Sequence, residues 1–261
     1  MSYKKLFNDM TWSFSREHSY EVCPYYTYLK YIEERDGEQN YYAANGKAMH
    51  EVFEELLKHK ITLEEAPTLY QEKYDLICEK TKQSTMDKTF EKCIDYLCTV
   101  EPISENEFEI IGAELELHFK VEKYNFVGYA DLVLKNKDTS EVILVDHKSS
   151  DHFMKKDGTP LKNQLENFIA YKKQMYLYCK GIKDSLGLDV GKIVWHHFKD
   201  NGQLTIIPFS DEEYIETMDW AVNTIETIKK DKLFNCNKTY MYCTQLCDYR
   251  NTCEYKEEEG E

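Results

Sequence analysis

Two acidic residues and one lysine lie in two neighbouring apolar segments between residues 126 and 150. Asp131 lies in the first segment, and Asp146 and Lys148 end the second, which is rich in β-branched residues. Because side chains alternate along a strand, Asp146 and Lys148 are expected on one face, next to Asp131 on the adjacent strand. Carboxylates bind hard cations, and a nearby ammonium group can orient a water molecule. The pattern favours a Mg²⁺ site, and a surface ion pair is the alternative.

Further polar residues recur at helical spacing on two amphipathic segments. His50 lies beside the apolar stripe of a helix predicted over residues 44–60. Gln174 and Tyr178 are one turn apart on a helix predicted over residues 163–181. A histidine at the edge of an apolar face is more often structural than a ligand, and Gln and Tyr are ordinary on a helix surface. These residues therefore gain meaning only in combination with the acidic ones.

Closely spaced cysteines mark the C-terminal part of the chain. Cys243, Cys247 and Cys253 follow one another closely, with Cys236 just upstream. Nine cysteines in a chain without an export signal favour thiol or metal chemistry over a disulfide framework. Three thiolates make an incomplete metal shell, so a fourth must come from Cys236 or from a distant residue such as Cys23. Small core residues are expected at three cysteines that lie among apolar side chains, Cys78, Cys93 and Cys98.

Composition limits the class of protein. The chain has 261 residues, of which 42% are hydrophobic, and this suits one domain with a sizeable core. It offers no signal peptide and no apolar stretch of about eighteen residues, so we expect a cytoplasmic protein in a reducing compartment, without a membrane partner. A formal net charge of −15 excludes a broadly basic surface that coats nucleic acid. Any contact with DNA must therefore be local.

Hydrophobic periodicity predicts the elements that position these residues. From Glu114, apolar and polar residues alternate, which predicts a half-buried strand. With the two strands of residues 126–150 it forms an antiparallel meander. An Asp-Asn-Gly turn at residues 200–202 predicts a hairpin, and a capping box beginning at Ser210 starts a last long helix.

The motifs, taken in chain order, resemble the RecB-like branch of the PD-(D/E)XK nuclease superfamily. Within it they are most similar to the iron–sulfur members, which include CRISPR-associated RecB-like exonucleases and the AddB nuclease domain. The matching motifs are Cys23, Gly46-x3-His50-x3-Glu54, Gly128-x2-Asp131, Asp146-x-Lys148, Gln174-x3-Tyr178 and the terminal cysteine triplet. Each motif alone is weak, whereas their combination in the family order is hard to obtain by chance.

The resemblance implies a fold and a site. The fold is α/β (α+β), a restriction-endonuclease-like core with a central mixed sheet that contains an antiparallel meander and is flanked by helices. Lys148 would position the attacking water, and Gln174 and Tyr178 would support the site and the DNA backbone. The implied ligands of Mg²⁺ or Mn²⁺ are His50, Asp131, Asp146 and the main-chain carbonyl of His147.

The resemblance also implies a 4Fe–4S cluster that joins the two ends of the domain through Cys23, Cys243, Cys247 and Cys253. Three residues separate Cys243 from Cys247 where the family usually has two, so whether Cys236 replaces one ligand stays open. The expected organisation is one nuclease domain over residues 1–253. It would contain a helical insertion at about 62–108 and be followed by a disordered acidic tail at 254–261.

These observations favour a metal-dependent DNA nuclease, with exonuclease activity preferred, acting on single-stranded DNA or duplex ends. Two alternatives stay open: a non-catalytic DNA-end-binding module in a recombination, replication or CRISPR-adaptation complex, and a structural or redox iron–sulfur protein. The set of Asp131, Asp146 and Lys148 disfavours both, because a module that only binds does not need all three. DNA contact is expected at the basic residues nearest the motifs, Lys155, Lys156, Lys162, Lys172 and Lys173.

Overall fold

A five-stranded mixed sheet lies at the centre of the computed structural model, which describes residues 7–81 and 88–255. The strands follow chain order across the sheet: β1 (Phe108–Val121), β2 (Tyr124–Asn136), β3 (Val142–Lys148), β4 (Val190–His197) and β5 (Gln203–Pro208). The first three strands pair antiparallel, β3 and β4 pair parallel, and β4 and β5 pair antiparallel. The predicted mixed sheet, meander and hairpin are therefore confirmed.

Helices cover both faces of this sheet. In chain order they are α1 (Phe14–Val22), α2 (Pro24–Tyr31), α3 (Tyr41–Leu57), α4 (Ala66–Thr81), α5 (Lys88–Thr99), α6 (Leu165–Leu186) and α7 (Asp211–Lys230). Helices α6 and α7 bury one apolar stripe each against one face, where the main core forms. Helix α3 crosses the other face and packs with α4 and α5 around a second core. No helix within the described ranges has the length and hydropathy that a membrane span requires.

Helix α6 is the crossover between the parallel strands β3 and β4. It packs closely on the hairpin of β1 and β2, because a Cβ at Gly181 would lie only 2.9 Å from the Leu117 side chain. The helix was predicted to end at residue 181 but continues to Leu186. Gly187, in the left-handed region (φ 69°), provides its C-terminal cap.

Local capping explains where the N-terminal helices begin and end. Ser13 caps α1 by accepting a hydrogen bond from the Arg16 amide, and Pro24 occupies the first turn of α2. Cys23 is the single residue between the two helices. This cysteine therefore forms the junction between α1 and α2, in an extended conformation (φ −156°).

Two details differ from the sequence-based expectations, and a third expectation concerns residues outside the described part of the chain. Cys78 and Cys93 are buried, as expected, but Cys98 is exposed because it lies on the outer side of α5. Helices α4 and α5 occupy most of the expected helical insertion, and residues 100–107 are irregular chain that leads into β1. Of the expected acidic tail, residues 256–261 lie outside the described part of the chain.

Candidate metal-dependent active site

The end of β3 lies against the middle of β2 and brings two acidic residues together. Leu132 pairs with Val145, so Asp131 and Asp146 are the next residues along these neighbouring antiparallel strands. Both carboxylates are buried. The main-chain amide of His147 donates a hydrogen bond to Asp131 Oδ2 at 2.6 Å. The end of β3 is thereby fixed against β2 where the two carboxylates meet.

Helix α3, which packs on the face of the sheet opposite α6 and α7, adds His50 to this pair. His50 Nδ1 lies 3.4 Å from Asp131 Oδ2 and 3.7 Å from Glu114 Oε1 on β1. One ligand atom from each of these three residues lies within 4.8 Å of the others, a spacing that suits a metal ion. Glu114 was not predicted from the sequence as a site residue. It is one of several alternating polar residues on β1, and nothing in its sequence context distinguishes it.

The backbone at Glu114 is unusual for a strand. Its φ is 49°, in the left-handed region that a residue with a Cβ enters at a cost. Ala113 and Leu115 pair with residues of β2, but Glu114 between them does not. The register of β1 and β2 shifts a few residues earlier, between Ile110 and Gly112. The pairs on either side, Ala113 with Leu132 and Leu115 with Ala130, place Glu114 opposite Asp131.

Charge compensation among these groups changes their pKa values. Burial alone would lower the pKa of His50, but the Asp131 carboxylate raises it to about 10. Burial alone would raise the pKa of Asp131, and the charged His50 lowers it to about 2. A proton on His50 therefore balances negative charge from these carboxylates. A divalent cation bound by His50 would replace that proton and take over the charge balance.

Asp146 and Lys148 form the second half of the site on the face covered by α6. Asp146 Oδ2 lies 2.7 Å from Lys148 Nζ, yet it makes no hydrogen bond of acceptable geometry with any described residue. Burial raises the pKa of Asp146 to about 6, against the opposing effect of the Lys148 charge. A buried carboxylate oxygen that is short of partners fits a divalent-metal ligand.

Lys148 is held by residues of α6. Its ammonium donates to Gln174 Oε1 at 3.1 Å and lies 4.1 Å from the ring centre of Tyr171. Gln174 in turn donates from its amide nitrogen to the Tyr178 hydroxyl at 3.0 Å. The Tyr178 ring packs on Gly128, where a Cβ would meet it at 2.6 Å. Four predicted residues therefore form one continuous chain of contacts that begins at Lys148.

The His147 side chain points away from this chain of contacts and towards α3 and α5. Its Nδ1 lies 2.7 Å from His196 Nδ1, and His196 Nε2 lies 2.5 Å from the Tyr96 hydroxyl. The Phe53 ring packs against the imidazole, with ring centres 4.5 Å apart. The ring of His147 therefore anchors the end of β3. This leaves the main chain of His147, and not its ring, for the role expected at the metal site. Neither His196 nor Tyr96 was anticipated from the sequence.

The predicted DNA-contacting lysines fall into two groups. Lys155, Lys156 and Lys162 are exposed on or next to a small hairpin that follows the active-site strand. Lys172 forms an ion pair with Glu213, and Lys173 forms one with Glu21 while lying over the Trp220 ring. The two lysines of α6 thus have partners within the chain.

The cysteines at the two ends of the chain converge on one cavity. Five thiols line it, those of Cys23, Cys236, Cys243, Cys247 and Cys253, together with tyrosines of α2 and of the C-terminal segment. Burial raises the pKa of the Cys247 thiol to about 11, with the neighbouring thiols adding to the effect. Such thiols stay protonated at neutral pH unless a cation replaces the proton. The donor set fits a soft metal centre.

Comparison with known proteins identifies the family. A model of the PD-(D/E)XK nuclease superfamily matches residues 11–254. The chain belongs to this superfamily. PD-(D/E)XK nucleases use divalent metal ions, and the grouping of His50, Glu114 and Asp131 provides a carboxylate and histidine site for one.

One solved structure supports this fold. A candidate exonuclease from Eubacterium rectale is 13% identical, with a TM-score of 0.51 over 96% of this chain and 91% of that one. At that identity the likeness shows the fold alone. The structure of SSO0001 is 20% identical over 56% of this chain and 61% of that one, and its TM-score of 0.31 carries no argument. No curated protein matches the sequence.

Proposed function

We propose that this PD-(D/E)XK nuclease is a RecB-like deoxyribonuclease that depends on Mg²⁺ or Mn²⁺ and degrades DNA from its ends. The observation that carries this proposal is the convergence of the motif residues. Four motif residues on α3, β2 and β3 come close together in the fold: His50, Asp131, Asp146 and Lys148. Gln174 of α6 contacts the same lysine.

The roles follow from the chemistry of each group. A divalent cation supplies charge neutralisation at the scissile phosphate and a water of lowered pKa. His50, Asp131, Asp146 and the main-chain carbonyl of His147 would hold that cation, and Glu114 is placed to take part. Asp146 raises the pKa of Lys148 despite burial, so the lysine is a cation that can donate to the attacking water or to a phosphate oxygen.

Gln174 and Tyr178 are positioning residues in this proposal. Gln174 accepts one of the three hydrogens of the Lys148 ammonium and so limits its orientation. Burial raises the pKa of Tyr178 to about 12, which keeps its hydroxyl protonated and able to donate. The tyrosine thereby stays neutral next to Asp146 and Lys148.

We further infer that Cys23, Cys243, Cys247 and Cys253 bind a 4Fe–4S cluster that joins the N- and C-terminal segments. The extra residue between Cys243 and Cys247 lies in a π-helical turn, Tyr242–Leu246. The Cys247 amide donates to the Tyr242 carbonyl, five residues back, at 2.8 Å. A π-turn accommodates one additional residue per turn, so it supports the use of Cys243 despite the longer spacing.

Substitutions in the site test the proposed chemistry. Asp146→Ala and Lys148→Ala are each expected to reduce cleavage of labelled linear DNA in Mg²⁺ or Mn²⁺ by at least about 100-fold, because each removes a charge that the reaction needs. The matched controls are Asp189→Ala and Lys183→Ala, an exposed ion pair at the C-terminal end of α6. Cleavage at the wild-type rate by either site variant would show that the assignment is wrong.

The choice of substrate distinguishes the remaining alternatives. An exonuclease degrades linear DNA and leaves covalently closed circles intact, whereas an endonuclease cuts both. Binding of DNA ends without cleavage in any divalent metal would indicate a non-catalytic module. An absence of both binding and cleavage in iron-loaded protein would indicate a structural or redox iron–sulfur protein.

Metal analysis tests the proposed cluster. Protein purified without oxygen is expected to be brown and to contain about four irons per chain, as one 4Fe–4S cluster requires. Cys247→Ser should lose most of this iron, whereas Cys98→Ser, which changes an exposed cysteine of α5, should keep it. Stoichiometric zinc without iron would indicate a zinc site instead.

A further inference from the structure

The cavity between the chain ends contains one more thiol than a 4Fe–4S cluster uses. Cys236 lines this cavity together with the four cysteines assigned above to the cluster. Four cysteines satisfy one such cluster. If the proposed cluster is present, one thiol in the cavity is therefore left over, and the family resemblance assigns no role to Cys236.

Cys236 lies next to one particular ligand. Its Sγ is 4.0 Å from the Sγ of Cys23, and this is a direct contact between residues 213 positions apart in sequence. The bond of a disulfide is about 2.05 Å long, so closing this pair requires a sulfur movement of about 2 Å, which side-chain rotation can provide.

Contacts on both sides of Cys236 hold the two segments together. Asn237 Nδ2 donates to the Val22 carbonyl at 3.0 Å, immediately before Cys23. Phe234 is buried and packs edge-on against Tyr20, with ring centres 6.2 Å apart. The Tyr20 hydroxyl also donates to Asp231 Oδ2 at 2.8 Å. These contacts do not depend on a cluster, so the thiols of Cys23 and Cys236 remain neighbours without one.

We propose that Cys23 and Cys236 form a redox-active dithiol, which closes to a disulfide when the cluster is absent. This proposal rests on the proposed cluster site and adds a second, metal-free way to join the two ends of the chain. With a bound cluster, Cys23 is a ligand and the pair cannot close. Without it, the disulfide withholds a ligand from iron until a reductant opens the bond.

A small disulfide such as glutathione disulfide can serve as the oxidant that forms the Cys23–Cys236 disulfide. One protein thiolate attacks this disulfide, forms a mixed disulfide and releases one glutathione thiol. The second protein thiolate then attacks the sulfur of its neighbour and displaces the second glutathione. The protein loses two electrons and two protons, and glutathione disulfide gains both.

Peptide mapping of the full-length chain tests the proposal. The cluster is removed with a chelator and a reductant, and the reductant is then removed. The protein is incubated with glutathione disulfide over hours, and remaining thiols are alkylated. We expect one dominant cross-linked peptide pair that contains Cys23 and Cys236, two hydrogens lighter than the sum of the reduced peptides. Cys243, Cys247 and Cys253 should be recovered alkylated.

Two variants provide controls. Cys236→Ser should abolish the cross-link and keep the iron content of anaerobically purified protein, whereas Cys98→Ser should leave both unchanged. A cross-link spread over several cysteines of the cavity, or no cross-link in the wild-type chain, would refute the dithiol. Loss of iron in Cys236→Ser would instead make Cys236 a cluster ligand and would equally refute it. Cleavage of DNA is measured separately, so failure of the nuclease proposal is distinguishable.

Discussion

Glu17 is fully buried on α1, and neither of its carboxylate oxygens has a hydrogen-bond partner among the described residues. Burial raises its pKa well above the ordinary value of 4.5, with the nearby Glu21 carboxylate adding to the effect and Lys173 opposing it. The folded chain therefore keeps this proton to a higher pH than the unfolded chain. Folding stability should fall as pH rises above about 4.5, until the folded-state pKa is passed.

Glu17→Gln tests this expectation, because glutamine has a similar shape and does not ionise. Because the carboxyl of wild-type Glu17 must either stay protonated or ionise while buried, the variant should gain stability relative to wild type as the pH rises from 4.5 to 8. The measurement is the free energy of unfolding in urea at both pH values. Glu216→Gln, an exposed residue of α7, is the control. Equal pH dependence in Glu17→Gln and wild type would contradict a buried neutral carboxyl.

Site residues that belong to a motif were predictable from the sequence, and site residues outside the motifs were not. The grouping of Asp131, Asp146 and Lys148 follows from residue type and spacing, and the resemblance to the nuclease family added His50. The structure brings these residues together. Glu114 lies opposite Asp131 through the register of β1 and β2, which residue type and local spacing do not show.

The partners of the His147 ring were also beyond the sequence. His196 meets His147 through the register of the parallel strands β3 and β4, and Tyr96 meets His196 through the placement of α5. Long-range pairing of this kind arises from tertiary packing, which local periodicity does not record.

Gly128 and Gly181 both allow α6 to pack closely on the β1–β2 hairpin. Gly128 leaves room for the Tyr178 ring, and a Cβ there would lie 2.6 Å from that ring. Gly46 on α3 belongs to the same set of motifs, but a Cβ there would meet Ser149 Oγ at 3.8 Å, which is an ordinary contact. Gly46 is therefore not a site of tight packing, whereas Gly128 is.

Gly128→Ala should therefore displace Tyr178 and, through Gln174, the ammonium of Lys148. We expect a loss of about 1–3 kcal/mol in stability from overpacking and a fall in kcat. Gly46→Ala is the matched control, and replacing a helical glycine should stabilise α3 by about 0.8–1 kcal/mol. Tm and cleavage rate are measured for both. An unchanged rate in Gly128→Ala would mean that the position of Tyr178 does not control Lys148.

Elements with strong local signals were predictable, and their ends were less so. The alternating run of β1, the turn before β5 and the cap at Ser210 are local features, and each occurs where it was expected. The end of α6 depends on Gly187 and on packing against β1. The π-turn at Tyr242–Leu246 was visible in the sequence only as an unusual cysteine spacing.

At the scale of the whole molecule, an acidic chain with a net charge of −15 must attract DNA through a local surface. The hairpin after β3 is a candidate because its base is fixed. The Lys155 amide donates to the Thr159 carbonyl at 2.8 Å, and the Phe153 side chain is buried in the main core. Lys155 and Lys156 are exposed on this hairpin, close in sequence to Lys148.

Lys155→Ala combined with Lys156→Ala should weaken DNA binding and flatten its salt dependence. Each lost phosphate contact lowers the slope of log affinity against log salt concentration by about 0.7–0.9, so two contacts would lower it by about 1.4–1.8. Binding is measured with a fluorescent oligonucleotide in Ca²⁺, over a series of salt concentrations.

The control for this pair must consist of lysines without a structural role. Lys229 is unsuitable, because it contacts Glu226 and the Tyr124 hydroxyl. Lys230 and Lys232 are exposed near the end of α7, and changing both to Ala removes the same charge. If attraction is local, the control pair leaves the slope unchanged. If both pairs flatten it equally, only net charge matters, and a DNA track along the hairpin is excluded.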